Sequence, residues 1–148
     1  MRYWDASALV PLLLAEETSG GLRQLAQHAT IITWCLSGVE IASAIERSTR
    51  EDRLDGEDRA RALTTLAILA GSWTEITAVP AVRDRAHRLL ATHPLRGADA
   101  LQLAAALVAT GDRPREHEFV TLDGRLRDAA QREGFTLTDT ARLVAPDD

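Results

Sequence analysis

The chain has 148 residues, a formal charge of −5 and one cysteine, Cys35. That length suits a single domain, 1–148, able to bury about two-thirds of the surface its unfolded form exposes. One thiol excludes an intrachain disulfide framework and a cysteine-based zinc site, and it fits a reducing compartment. The acidic balance excludes a protein that coats nucleic acid through its overall field, but not an enzyme that acts on one.

Residues 2–4 predict a short strand, and "SALVPLLLAEE" then predicts a helix with Ser7 near its cap and Pro11 early enough to be tolerated. Asp5 stands just before this apolar run and Glu16 and Glu17 just after it, and a cleavable signal peptide would discard Asp5. No stretch approaches the ~20 apolar residues of a membrane-spanning helix, so a cytoplasmic protein with no membrane contact is expected. A second helix follows over 19–29. The β-branched run "TIITW" predicts strand two, with Cys35 behind it as a small buried hydrophobe.

Ser37 opens the next helix, "GVEIASAIERSTRE", and the apolar spacing of 55–70 predicts another that stops at Gly71. "WTEITAV" is the third strand. Pro80 starts a helix that Pro94 breaks, and "ADALQLAAALVAT", the most apolar helix of the chain, ends at Gly111. "EFVTLD" is a fourth strand, "GRLRDAAQREG" its helix and "TLT" a last short strand, with 145–148 frayed. No repeat, linker or low-complexity segment interrupts the order. Such regular alternation predicts an α/β fold in which a mostly parallel sheet of four or five short strands carries helices on both faces. Sheets of this kind bind ligands outside the carboxyl ends of their strands.

Asp5 and Asp123 each end a predicted strand, so parallel strands deliver both to the same edge. Glu40 lies in the first turn of the helix leaving strand two. Asp99 lies in the first turn of the apolar helix, in line with Leu103 and Ala106. Each acid also has an innocent explanation. "SGVE" is a capping box, Asp99 complements a helix dipole, Asp5 caps a helix and "LDG" is a common turn. Together they differ, because four carboxylates converging on one partly buried edge raise one another's pKa until a divalent cation removes the conflict. An all-oxygen set selects Mg²⁺ or Mn²⁺ over zinc. His28, His87, His93 and His117 lack metal-ligand spacing and are expected on the surface. "SGGL" lacks the lysine and strand of a phosphate loop, and no Gly-x-Ser-x-Gly elbow occurs.

"DASALV", "SGVEIASAIER", "RGADALQLAAAL" and "FVTLDGRLRDAAQREG" together resemble the PIN-domain ribonucleases, in particular the VapC toxins of bacterial toxin–antitoxin pairs, over nearly the whole chain. The resemblance implies a PIN-like three-layer sandwich and a Mg²⁺- or Mn²⁺-dependent endoribonuclease. Asp5, Glu40, Asp99 and Asp123 are its acidic, metal-binding set, and Ser7 and Thr121 match the small hydroxyl positions beside the first and fourth acids. It also implies an RNA substrate, a cognate VapB-type antitoxin whose tail reaches the acidic groove, and a homodimer. The chain departs from many relatives in carrying Pro11 where they carry lysine, and in a longer "TGDRPREHE" before the fourth strand.

All 17 basic residues are arginines, so phosphate contacts fall to guanidinium groups. Arg47, Arg50 and Arg53 follow the Glu40 helix, and Arg125 and Arg127 follow Asp123. Arg96, beside Asp99, is the best placed to meet a phosphate. A solvated helix face is the plain alternative for each. Trp4, Trp34 and Trp73 fall in strands and are assigned to the core. The apolar stripe of "LTTLAILAG" is either core or an interface. Three other readings compete. A PIN nuclease for RNA processing or DNA shares the acids, and a non-catalytic binding module keeps only the fold. A phosphatase of the haloacid dehalogenase type needs a second aspartate where Ser7 stands, and a lysine the chain lacks.

Overall fold

A computed structural model of the chain describes residues 1–14, 19–139 and Leu143; the tail expected to fray, 145–148, and the end of the first predicted helix, 15–17, lie outside the described residues. The strands are β1 (Arg2–Trp4), β2 (Ile32–Trp34), β3 (Thr74–Ile76), β4 (Glu118–Val120) and β5 (Thr136–Leu137). The helices are α1 (Ala6–Leu13), α2 (Ser19–Gln27), α3 (Ser37–Arg50), α4 (Gly56–Ala70), α5 (Val79–Thr92), α6 (Gly97–Ala109) and α7 (Gly124–Glu133), with a 3-10 turn at Pro114–Glu116. Pro11 lies inside α1, where it removes one backbone donor, and the helix stops at Leu13. Gly134 closes α7 in the left-handed region, φ 106°, where a side chain would strain the turn into β5.

Among the described residues the five strands are all parallel, in the order β3-β2-β1-β4-β5. The chain first moves outward from β1 through β2 to β3, then returns to add β4 and β5 on the other side of β1. Crossovers of one hand place the helices of the two halves on opposite faces. The core divides accordingly. Tyr3, Trp34 and Phe119 face a cluster built with α5, α6 and α7, whereas Trp4 and Val120 face one built with α1, α2, α3 and α4. Tyr3 stacks on Phe119 with ring centroids 5.3 Å apart. Helix α6 is buried on nearly every side from Ala100 to Leu107, its alanines letting it lie close under the sheet.

Trp4 and Trp34 are buried in their strands as expected; Trp73 is buried too, but precedes β3. The stripe of α4 splits, with Leu66 in the core and Ile68 exposed. Two expectations are corrected. His93 is buried at the end of α5, where its Nε2 meets Glu133 Oε1 of α7 at 2.7 Å, because packing of α5 beside α6 and α7 covers that face. Cys35 is only half-buried, at the rim of the α5–α7 core. No helix among the described residues is long and apolar enough to cross a membrane. Ile45 is fully buried where α3 meets α1 and α4. Ile45→Val should cost about 1 kcal/mol, read as a drop in melting temperature of about 3 °C without loss of cooperativity.

Candidate active site

The direction of chain growth reverses between β1 and β4, so the carboxyl ends of these strands open the crevice in which sheets of this class bind ligands. Trp4 pairs with Val120 in register, and the Asp5 N–H extends the ladder by one bond to the Val120 carbonyl, 3.0 Å away. The chain then leaves both strands at the same level. Asp5 caps α1 and Asp123 caps α7, the latter accepting from the Leu126 N–H at 2.8 Å.

Asp5 is 3% exposed. Its Oδ2 accepts from the Ser7 N–H at 3.1 Å, the Ser7 hydroxyl at 2.5 Å and the Thr121 hydroxyl at 2.9 Å. Ser7 Oγ in turn accepts from the Leu122 N–H, and Thr121 Oγ1 from the Asp123 N–H. Each hydroxyl thus gives its one proton to Asp5 and takes one from the β4–α7 loop. Ser7 and Thr121 therefore tie α1 to that loop and hold one oxygen of Asp5 in place. Burial pushes the Asp5 carboxyl above its ordinary pKa, the Ser7 and Thr121 bonds oppose that, and the charge of Asp99 adds to it.

Glu40 and Asp99 reach the edge from α3 and α6. The capping-box explanation for Glu40 is not realised: Leu36 precedes α3 without a side-chain cap bond, and Glu40 Oε1 accepts from Gln102 Nε2 at 2.9 Å instead. Glu40 is half-buried, and its pKa is raised to about 7, by burial first and then by Asp5 and Asp99 against the Gln102 bond. Asp99 is also raised, by burial and by Asp123, while the backbone N–H and charge of Arg96 and the charge of Arg125 oppose this. Glu40 thus feels the charge of Asp5 and Asp99, Asp5 feels that of Asp99, and Asp123 joins the group through Asp99.

Among the described residues, no three His, Cys, Asp or Glu side chains stand close enough together to hold a metal ion. The four carboxylates are linked instead through charge, Asp99 with Asp5, Glu40 and Asp123, and Asp5 with Glu40. Their chemistry nonetheless fits a hard divalent cation. The donors are all oxygen, and three acids carry an electrostatic penalty that a cation would remove.

The arginines divide. Arg96 and Arg125 are exposed and act on Asp99. Arg53 pairs with Glu51 and Arg127 donates to the Thr138 carbonyl, so both serve the fold. Arg47 and Arg50 are exposed in the last turn of α3.

Sequence reasoning missed Gln102 and Tyr3. Gln102 is fully buried; its Oε1 accepts from the Tyr3 hydroxyl at 2.7 Å, and its Nε2 donates to Ser37 Oγ at 2.9 Å as well as to Glu40. Ser37 Oγ meets Thr33 Oγ1, which donates to the Trp4 carbonyl. A readable signal existed: Gln102 interrupts the apolar run "ALQLAAAL" three residues after Asp99, on the same helical face.

A comparison with protein-family models matches residues 2–132 to the family described as PIN domain. No curated protein matches the chain.

Proposed function

The chain belongs to the PIN-domain family, whose members are in general metal-dependent nucleases, and we propose that it is an endoribonuclease acting at the edge built by Asp5, Glu40, Asp99 and Asp123. The observation that carries this reading is the set of three carboxylates, Asp5, Glu40 and Asp99, each raised by burial and by the charge of at least one other acid of the four, beside the β1–β4 crevice. A divalent cation, Mg²⁺ or Mn²⁺, would be held by these acids and would supply an activated water and charge neutralisation for phosphodiester hydrolysis. Asp5 and Asp99 are the best placed to hold it directly. Glu40, held at one oxygen by Gln102, and Asp123, engaged as a cap at one oxygen, keep one oxygen each to orient water. Ser7 and Thr121 keep Asp5 fixed. Arg96 and Arg125, both exposed beside Asp99, would engage the substrate phosphates. Hydrolysis by this route leaves a 5′-phosphate and a 3′-hydroxyl.

The finer reading is the toxin of a type II toxin–antitoxin pair, acting in the cytoplasm, with a cognate VapB-type antitoxin and a second copy of the chain as partners. It is supported by the resemblance of the four acidic segments to the VapC toxins. Exposed Ile68 on α4 offers an uncovered apolar side chain to a partner.

The test is incubation of the purified chain with total RNA and, separately, single-stranded DNA, in Mg²⁺, in Mn²⁺ and in EDTA. Discrete RNA fragments with 5′-phosphate ends, present with metal and absent with EDTA, are expected. Intact RNA from folded protein in both metals would overturn the ribonuclease reading, and cleavage of DNA alone would move the substrate to DNA.

A further inference from the structure

Gln102 is a fully buried primary amide in an otherwise apolar helix, and an amide buried without partners costs several kcal/mol. All its bonding capacity on nitrogen is spent, with one bond to Ser37 on α3 and one to Glu40, also on α3. Its oxygen is taken by the Tyr3 hydroxyl of β1. The amide cannot turn over. The Tyr3 hydroxyl donates its one proton to the amide oxygen at 2.7 Å, and a reversed amide would leave that proton without this acceptor. A reversed amide would also set oxygen against the Glu40 carboxylate.

We propose that Gln102 is a positioning residue that fixes one carboxylate oxygen of Glu40 relative to Asp99 and Asp5, preorganising the acidic edge for its cation. The placement follows from the helix: Gln102 stands three residues after Asp99, so α6 carries both an acid of the cluster and the donor that restrains another. Tyr3 performs the same service from β1, two residues before Asp5. The relay Tyr3–Gln102–Glu40 thereby connects the three elements that deliver Asp5, Asp99 and Glu40. Holding Glu40 near two other carboxylates is unfavourable until a cation arrives, and a charge-assisted N–H bond is what offsets part of that repulsion. This proposal rests on the nuclease reading above.

The test measures Mn²⁺ affinity by the electron paramagnetic resonance signal of the free ion, with RNA cleavage in parallel, for the unmodified chain and three variants. Gln102→Met keeps length and removes both donor and acceptor. Removing an outer-shell partner typically costs 10–100-fold in metal affinity, so a loss of about tenfold is expected, with kcat falling and KM for RNA unchanged because Gln102 is out of reach of substrate. Tyr3→Phe keeps the ring against Phe119 and removes only the hydroxyl; it covers the case in which Gln102→Met does not fold, with an expected loss of about threefold. Leu89→Ala destabilises the α5–α6 core without touching the relay and should bind Mn²⁺ as the unmodified chain does. Unmodified affinity in folded Gln102→Met, or in Tyr3→Phe when the former does not fold, would overturn the positioning role alone. An equal loss in Leu89→Ala would reduce it to general stability. Failure of the unmodified chain to bind Mn²⁺ would overturn the nuclease reading and this one with it.

Discussion

Asp99→Asn should lower the single-turnover rate of RNA cleavage by at least about 10³-fold, equivalent to about 4 kcal/mol of lost transition-state stabilisation, while leaving the metal-free protein as stable as the unmodified chain or more so. The two halves of that expectation have one cause. Asp99 is half-buried, its pKa is pushed up by burial and by Asp123, and its own charge pushes up Asp5 and Glu40. Replacing it with a neutral amide of the same shape removes repulsion from three neighbours at once. The same replacement removes a full negative charge from the set that would hold the cation. Asparagine keeps a side-chain oxygen that can still accept the Arg96 backbone N–H. Loss of cleavage alone would be ambiguous, because many substitutions in buried positions abolish activity by unfolding. Loss of cleavage together with an unchanged or raised melting temperature in EDTA is not. A variant that cleaves within tenfold of the unmodified rate would remove Asp99 from the reaction, and one that melts well below it would show that the carboxylate serves the fold.

The parts of this structure that were legible in the sequence are those set by local pattern. Alternation of β-branched runs with 3.6-residue periodicity predicts the five strands and seven helices found among the described residues, and the parallel sheet then brings Asp5 and Asp123 to one edge. The strands are shorter than their apolar runs suggest. The run from Trp73 to Val79 pairs only at Thr74–Ile76, because Trp73 turns out of the sheet to pack in the α1–α4 core. Relations between distant residues were not legible. Glu40 and Gln102 are 62 positions apart, and only the packing of α6 against α3 reveals that the carboxylate meets an amide instead of closing a capping box. The amphipathic pattern of α5 left His93 equally consistent with the surface. Its burial depends on Glu133, 40 positions on, which ties the end of α5 to α7. Arg125 and Arg127 look alike in sequence, yet one acts on Asp99 and the other bonds the Thr138 carbonyl.

Raising the pH from 5 to 7.5 in EDTA should destabilise the protein, and Mn²⁺ should reverse the loss at the upper end. Glu40 has the best defined contribution, since its pKa is raised from 4.5 in the unfolded chain to about 7 in the fold. Between those values the folded state binds more protons than the unfolded one. The contribution of this group is therefore fully present below pH 4.5, declines as pH rises through 7 and is gone above it. The full shift corresponds to about 3 kcal/mol. Glu40 is only half-buried and water screens it, so about 1–2 kcal/mol should remain, a fall of about 3–6 °C in melting temperature. Asp5 and Asp99 shift in the same direction as Glu40, so neither opposes the trend. Asp112 and Glu133 shift the other way, so their contribution is lost only as the solution becomes more acid than the window and stays constant within it. Glu40→Gln isolates the effect: its melting temperature should be flatter with pH by that amount, and Mn²⁺ should raise it less at pH 7.5 than it raises the unmodified chain. A cation that binds only the folded state stabilises it in proportion to the logarithm of its saturation ratio, so the size of the Mn²⁺ response reads directly on the affinity of the acidic edge. Parallel pH profiles for the unmodified chain and Glu40→Gln would show that Glu40 is not held in the charged company of Asp5 and Asp99, and the cation would then have no repulsion there to relieve.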